Sequence, residues 1–392
     1  MGKLWVVFAL QGMANGFWLP VLTNVLEAKG HGQWVAIAFA TLPVCALITP
    51  LLGGALADER FPAQKLYGVA TLISAVFLAL AFGALDYGLG PIWFIVGLGC
   101  FGLFGGPSWG FLANIGLSNL AEPEKHFPYI RLGATLGWVG AGLLTSHVFH
   151  TDMSPACGYV AAVAMGCAGV LGFFLPNTPP LGAGRDWKSA LGIGAFRLFR
   201  NRNHAVLFCT AGLFSVPLAA FYMYSPELFR VLGNTSPTAW MTIAQGTEVV
   251  AMLFLGALML KFRMKTLLLW GLGVSVLRYG LSGYAGLSGE VGWHVAGVAL
   301  HGFCYTIFFV TAQVYVSQRV ERGLRGQAQG LLSLMTSGLG NLVGAFFCGW
   351  LRGTQVDGSG LGWAHYWWIL AGVIAACFVG FGVLYQGRKA GE

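Results

Sequence analysis

The stretch FPYIRLGATLGWVGAG, residues 127–142, puts Arg131, Thr135 and Trp138 on one stripe of a helix, because positions i, i+4 and i+7 share a face. The residues around the arginine are apolar or small, as in a segment that crosses a membrane. An arginine at that depth costs about 2.5–3.5 kcal/mol even on the lenient insertion scale, so it should face a partner or a water-filled cavity. It also lies near the start of the segment, where its guanidinium can snorkel to the inner headgroups. A cation beside an indole ring suits a small polar solute with a planar or hydroxyl-rich surface, which points to transport.

The rest of the chain agrees. Of 392 residues, 56% are hydrophobic and only 9% charged, with a mean hydropathy of +0.70. A soluble domain carries about 25% charge. Twelve apolar stretches are predicted as helices, at 4–27, 33–57, 65–85, 91–120, 127–149, 155–176, 204–230, 237–260, 266–286, 292–318, 325–351 and 363–386. Most reach the ~20 residues that cross hydrocarbon, where backbone groups must be bonded internally. The expected fold class is therefore an all-α membrane protein of twelve transmembrane helices in two six-helix halves.

The net charge of +8 invites a nucleic-acid reading, but the placement of the charge argues against it. With both termini inside, seventeen of the 22 Lys and Arg fall in inward segments. Lys29, Arg230 and Arg352 fall outside, and Arg131 and Arg278 lie within apolar stretches. This is the positive-inside asymmetry. The basicity serves topology and anionic headgroups, and the expected partners are a lipid bilayer and a small-molecule solute, with no nucleic acid. The eight cysteines form no CxxC pair and read as packing residues. Lys3 and the apolar run after it lack a convincing cleavage site and read as an uncleaved first helix. No His-Glu-x-x-His, Gly-x-Ser-x-Gly or acidic cluster suggests an enzyme or a metal site. No cofactor is expected, since a proton gradient would supply the energy.

The longest polar break, NTPPLGAGRDWKSALGIGAFRLFRNRN, sets the expected division into a half at 1–176, an inner linker at 177–203 and a half at 204–392. Its AFRLFRN portion suggests a short interfacial helix. The halves echo each other: Gly54-Ala55-Leu56-Ala57-Asp58 follows the second stretch and Gly256-Ala257-Leu258-Met259-Leu260 the eighth, each followed by basic residues. A parallel repeat of this kind predicts a substrate site near the midplane between halves.

Five further residues stand out within the apolar stretches. Glu248 sits mid-stretch in TIAQGTEVVAMLF, as a proton-loading carboxylate or the partner of a structural ion pair with Arg278. Arg278, about 18 Å into its helix, requires a partner. His301 and Tyr305 are one turn apart, and the histidine reads either as a titrating group or as a satisfied structural one. Gln245, one turn before Glu248, suits a base or a hydroxyl. Gln11, Asn15, Asn114 and Asn341 read as cavity-lining groups or interhelical hydrogen bonds.

GGALADERFPAQKL, residues 53–66, resembles the loop signature of the major facilitator superfamily, with Gly54, Asp58, Arg60 and Lys65 at the pattern positions and Pro62 where a glycine is common. The resemblance implies a gating-loop role for Asp58 and Arg60, and a monomer. FPYIRLGATLGW, LGIGAFRLFRNRNHAVLF, AQGTEVV and RGQAQGLLSLMTSGLGN together resemble the nucleoside:proton symporter family. That resemblance implies proton-coupled symport of a nucleoside or a related hydroxylated solute by alternating access across an inner or plasma membrane. It implies solute contacts at Arg131, Thr135, Trp138, Gln245, His301 and Tyr305, with coupling at Glu248, Arg278 and His301. Three positions depart from the family: Leu218 and Phe221 stand where seventh-helix amides are usual, and Thr306 where a tenth-helix aspartate is. The spacing of Arg131, Trp138, Glu248, Arg278 and His301 also resembles the lactose permease pattern, which keeps a sugar as an alternative solute, and the missing tenth-helix carboxylate keeps a proton-independent facilitator or an exporter as alternatives.

Overall fold

The computed structural model describes residues 1–59, 61–179, 193–321 and 324–387, leaving aside the side chains of 50–59, 123–125, 128 and 193. Asp58 and Arg60, expected to gate the loop, therefore lie outside the residues whose side chains are described, as does the linker over 180–192. Two compact units appear, Met1–Leu191 and Gly192–Glu392.

In the first unit the helices are α1 (Gly2–Trp18), α2 (Leu22–Ala28), α3 (Val35–Glu59), α4 (Ala63–Asp86), α5 (Pro91–Gly105), α6 (Ser108–Asn119), α7 (Pro123–His147) and α8 (Ala156–Gly172). Two expected single helices arrive in two pieces, α1–α2 and α5–α6. Pro20 lies in the first break and Pro107 in the second, and a proline removes one backbone donor and crowds the preceding turn. Small residues bring α1 and α7 together. A Cβ on Gly12 would collide with the Ala134 carbonyl, and one on Gly137 with the Ala9 carbonyl. Around their N-terminal ends Leu4, Phe8, Tyr67, Leu112, Ile115 and Ile130 form a buried cluster. Gln11 belongs to the packing: buried, it accepts from the Tyr67 hydroxyl at 2.9 Å.

The second unit opens with a 3-10 turn, Ile193–Arg200, on the stretch expected as an interfacial helix. It continues with α9 (Arg202–Val231), α10 (Pro237–Lys261), α11 (Met264–Ser288) and α12 (Val291–Tyr305), then a π-helical turn, Thr306–Val310, running into α13 (Thr311–Arg319). After it come α14 (Arg325–Ser333), a second π turn at Leu334–Gly340, α15 (Asn341–Gln355) and α16 (Gly360–Leu384). The Asn201 side chain starts α9 by accepting from the amides of Asn203 and His204 at 3.0 and 3.2 Å. Phe221, Phe229, Met241, Ala244 and Val298 form a core shared by α9, α10 and α12.

The chain is all-helical, with no strand among the described residues. Each of the twelve apolar stretches falls on a helix or a chain of helices. By length and composition, nine candidate membrane spans occur among the described residues. The helices outside that set are α7 and α11, which carry Arg131 and Arg278, and α8, which is 17 residues long.

Candidate functional site

In the second unit the structure gathers residues from four helices. Two glycines of α12 make this possible. A Cβ on Gly302 would collide with the backbone of Thr247 and Glu248 on α10, and a Cβ on Gly297 would lie 2.8 Å from the Arg278 carbonyl on α11. Helix α12 therefore rests against both carriers of intramembrane charge.

Arg278 is 2% exposed, a costly position for a guanidinium. Its partners are acceptors and ring faces. Nη1 donates to His301 Nδ1 and lies 3.5 Å from Cys304 Sγ, while Nη2 donates to the Tyr279 hydroxyl at 3.2 Å. The Tyr279 hydroxyl in turn donates to the Pro217 carbonyl at 2.7 Å. The guanidinium carbon stands 4.8 Å from the Phe221 ring centre and 4.4 Å from that of Tyr279, within cation–π range. Among the described residues no carboxylate lies within ion-pair distance of Arg278, so the Glu248–Arg278 pair allowed by the sequence is not formed in this structure.

His301 is also buried. Phe221 stacks on it at 3.8 Å with 8° between planes, and Tyr305 lies on its own helix at 5.9 Å and 26°. Tyr222 stands edge-on to His301 at 6.3 Å and is near enough to Glu248, Tyr305 and Arg278 to feel each electrostatically. Gln245, 6% exposed, approaches the Tyr222 hydroxyl through Nε2 at 3.5 Å and leaves its buried Oε1 without a hydrogen bond. Glu248 is half-buried, and Thr306 Oγ1 reaches its backbone carbonyl at 3.5 Å. The structure thus brings Gln245, Arg278, His301 and Tyr305 together beside Glu248.

In the first unit α7 shows three faces. Gly133, Ala134, Gly137 and Ala141 turn toward α1. Tyr129, Leu136 and Leu143, seven apart, form an exposed stripe. Arg131, Thr135 and Trp138 form the third, with the arginine exposed and the other two half-buried. Arg131 is the ninth residue of α7, about 12 Å along its axis.

Other polar groups in the second unit were not singled out from the sequence. His294 is fully buried between Ser282 and the Ser225 carbonyl, and its signal was its place seven residues before His301 on one helical stripe. Glu227, 2% exposed, pairs with Arg352 between α9 and α15; a carboxylate just inside the end of an apolar stretch was its signal. Tyr279 had none beyond adjacency to Arg278. The π turn at Thr306 follows the site directly, and such turns recur at functional positions.

Helices long and apolar enough to span a membrane, with ionisable groups buried midway along apolar helices, make a multi-pass integral membrane protein, and its family makes it a transporter rather than an enzyme. The family model described as Nucleoside H+ symporter matches residues 1–389, and the chain belongs to that family. It is 30% identical to the putative nucleoside transporter YegT of Escherichia coli K12, over 98% of this chain and 93% of that one. It is 27% identical to the xanthosine permease of the same organism, over 98% and 96%. A crystal structure of the nucleoside transporter NupG superposes with a TM-score of 0.87 at 22% identity, covering 98% of each chain, which establishes the fold.

Proposed function

We propose that the chain carries a nucleoside or a related hydroxylated solute together with a proton by alternating access, through twelve membrane-crossing segments with both termini inside and as a monomer. The observation that carries this reading is the buried cluster of Arg278, His301 and Gln245 beside the half-buried Glu248. Glu248, a half-buried carboxylate within an apolar helix, suits a group that loads a proton from one side and releases it to the other. Gln245 Oε1, buried without a donor, suits an N–H or O–H of the solute. Arg131, Thr135 and Trp138 supply a cation, a hydroxyl and an indole face of the kind a nucleoside can use. The chain then reads as halves at 1–176 and 204–392 joined by a linker at 177–203, with Asp58 and Arg60 gating the loop.

Purified protein in liposomes is expected to accumulate labelled uridine when the outside is acidified. Glu248→Gln should exchange uridine but not concentrate it, and full accumulation by that variant rejects Glu248 as the coupling group. A second reading is a proton-independent facilitator of a nucleoside or a sugar. It is favoured by Thr306, whose hydroxyl stands where the family resemblance expects a carboxylate. Under that reading solute equilibrates without ever concentrating.

A further inference from the structure

We propose that α11 holds both histidines of α12 as neutral Nε2–H tautomers, and that His301 thereby offers the solute a fixed hydrogen-bond donor. The argument starts at His294, whose partners are complete. Its Nε2 lies 3.2 Å from the Ser225 carbonyl, which only accepts, so Nε2 carries the proton. Its Nδ1 lies 3.0 Å from the Ser282 hydroxyl, which is also 3.2 Å from the Arg278 carbonyl. That carbonyl already accepts the helical amide of residue 282, whereas Nδ1 has no other donor. The single hydroxyl proton therefore goes to Nδ1 of His294.

His301 repeats the arrangement two turns later. The guanidinium of Arg278, which can only donate, takes its Nδ1, so the imidazole proton sits on Nε2. Residues 278 and 282 are one turn apart on α11, and 294 and 301 two turns apart on α12, so one helix face supplies both donors and the other both rings. Gly297, lying between the histidines, lets the faces close. The difference is at Nε2. On His294 it is used by a backbone carbonyl; on His301 it makes no hydrogen bond among the described residues. An acceptor oxygen, such as a carbonyl of a nucleoside base, fits this donor. Ser282 and Arg278 are positioning residues, the coupling proton does not reside on His301, and the imidazole is oriented further by the Phe221 ring on its face. The tautomers follow from the contacts alone; the solute contact rests on the proposed transport reading.

The test is nitrogen-15 NMR of the full chain labelled at histidine, with His294→Gln and His301→Gln used to assign the two signals. At neutral pH both are expected to show a bare Nδ1 and a protonated Nε2. Arg278→Met should release His301 into a mixture of tautomers and leave His294 unchanged. An Nδ1–H or doubly protonated His301 in the unsubstituted protein overturns the proposal, whether or not the variant folds. Saturating uridine should shift the Nε2 resonance of His301 and leave that of His294 in place. His301→Leu should raise the uridine KM about tenfold, and His301→Gln, which keeps an N–H, should raise it several-fold less than His301→Leu does. A resonance unmoved by uridine that is nonetheless transported overturns the donor role. Failure of every nucleoside to bind, with both tautomers as described, rejects the transport reading and leaves the tautomers standing.

Discussion

Phe221 lies flat on His301, ring centres 3.8 Å apart, and receives the Arg278 guanidinium at 4.8 Å. One side chain of α9 thus supports residues of both α11 and α12. Its 1% exposure and its place in the α9–α10–α12 core predict that Phe221→Ala costs about 3–5 kcal/mol, as for other large-to-small core changes. Phe221→Leu keeps most of the volume and should cost less than half of that. Thermal unfolding in detergent checks both; equal losses would assign the stability to the ring face and its cation.

The seventh-helix departure from the family pattern was legible in the sequence, but its meaning was not. Phe221 reads as one more apolar residue until Arg278 and His301, 57 and 80 positions later, are seen around it. The helices themselves were legible, because unbroken apolar runs in lipid admit no other backbone. Breaks near Pro20 and Pro107 had a visible cause. The π turns at Thr306 and Leu334 had none, since one extra residue per turn leaves no mark in composition. The burial of Arg278 was foreseen from its depth, whereas its neutral partners were not, because pairing a buried charge suggests an anion before it suggests an imidazole and two rings.

Asp357, in the loop between α15 and α16, has its carboxyl held below the ordinary carboxylate range, first by the Ser359 hydroxyl at 2.6 Å and then by the Ser359 amide at 2.9 Å. A depressed folded pKa stabilises the fold above the unfolded value, and that contribution fades as pH falls through the folded one. Asp357→Asn should therefore lower stability near neutrality slightly and flatten its fall at the acid end. Ser359→Ala removes this partner together with the cap on Gly362, and should cost about 1 kcal/mol near neutrality. Unfolding midpoints measured across the acid range separate the two effects.

Glu227 and Arg352 form an ion pair with side-chain exposures of 3% and 33%, against 81% and 55% for Glu321 and Arg197. The difference decides what each is worth. Arg352→Ala leaves a carboxylate in a buried setting and is expected to destabilise by up to about 3 kcal/mol, below the full cost of breaking a sealed pair because the arginine keeps solvent contact. Arg197→Ala breaks a pair that water already screens and should cost under about 1 kcal/mol. Raising the salt concentration should narrow the second loss and leave the first almost unchanged. Equal losses would show that burial does not separate the pairs.

Gly302 governs the distance between α12 and Glu248. A methyl group there has no free space, since it would run into the backbone of Thr247 and Glu248, and backbone cannot swing aside as a side chain can. Gly302→Ala must part α12 from α10 and should cost about 1–3 kcal/mol, as overpacking does elsewhere. Gly292, at the start of the same helix, has nothing within 4 Å of its added Cβ. Gly292→Ala should therefore be neutral or stabilise by up to about 1 kcal/mol through helix propensity. The functional consequence follows from the geometry at position 302: moving α12 also moves His301 relative to Glu248 and Gln245. Gly302→Ala should thus lose nucleoside uptake even at temperatures where it remains folded, while Gly292→Ala keeps it. Normal uptake by folded Gly302→Ala would mean that the approach of α12 to Glu248 is packing without a part in transport.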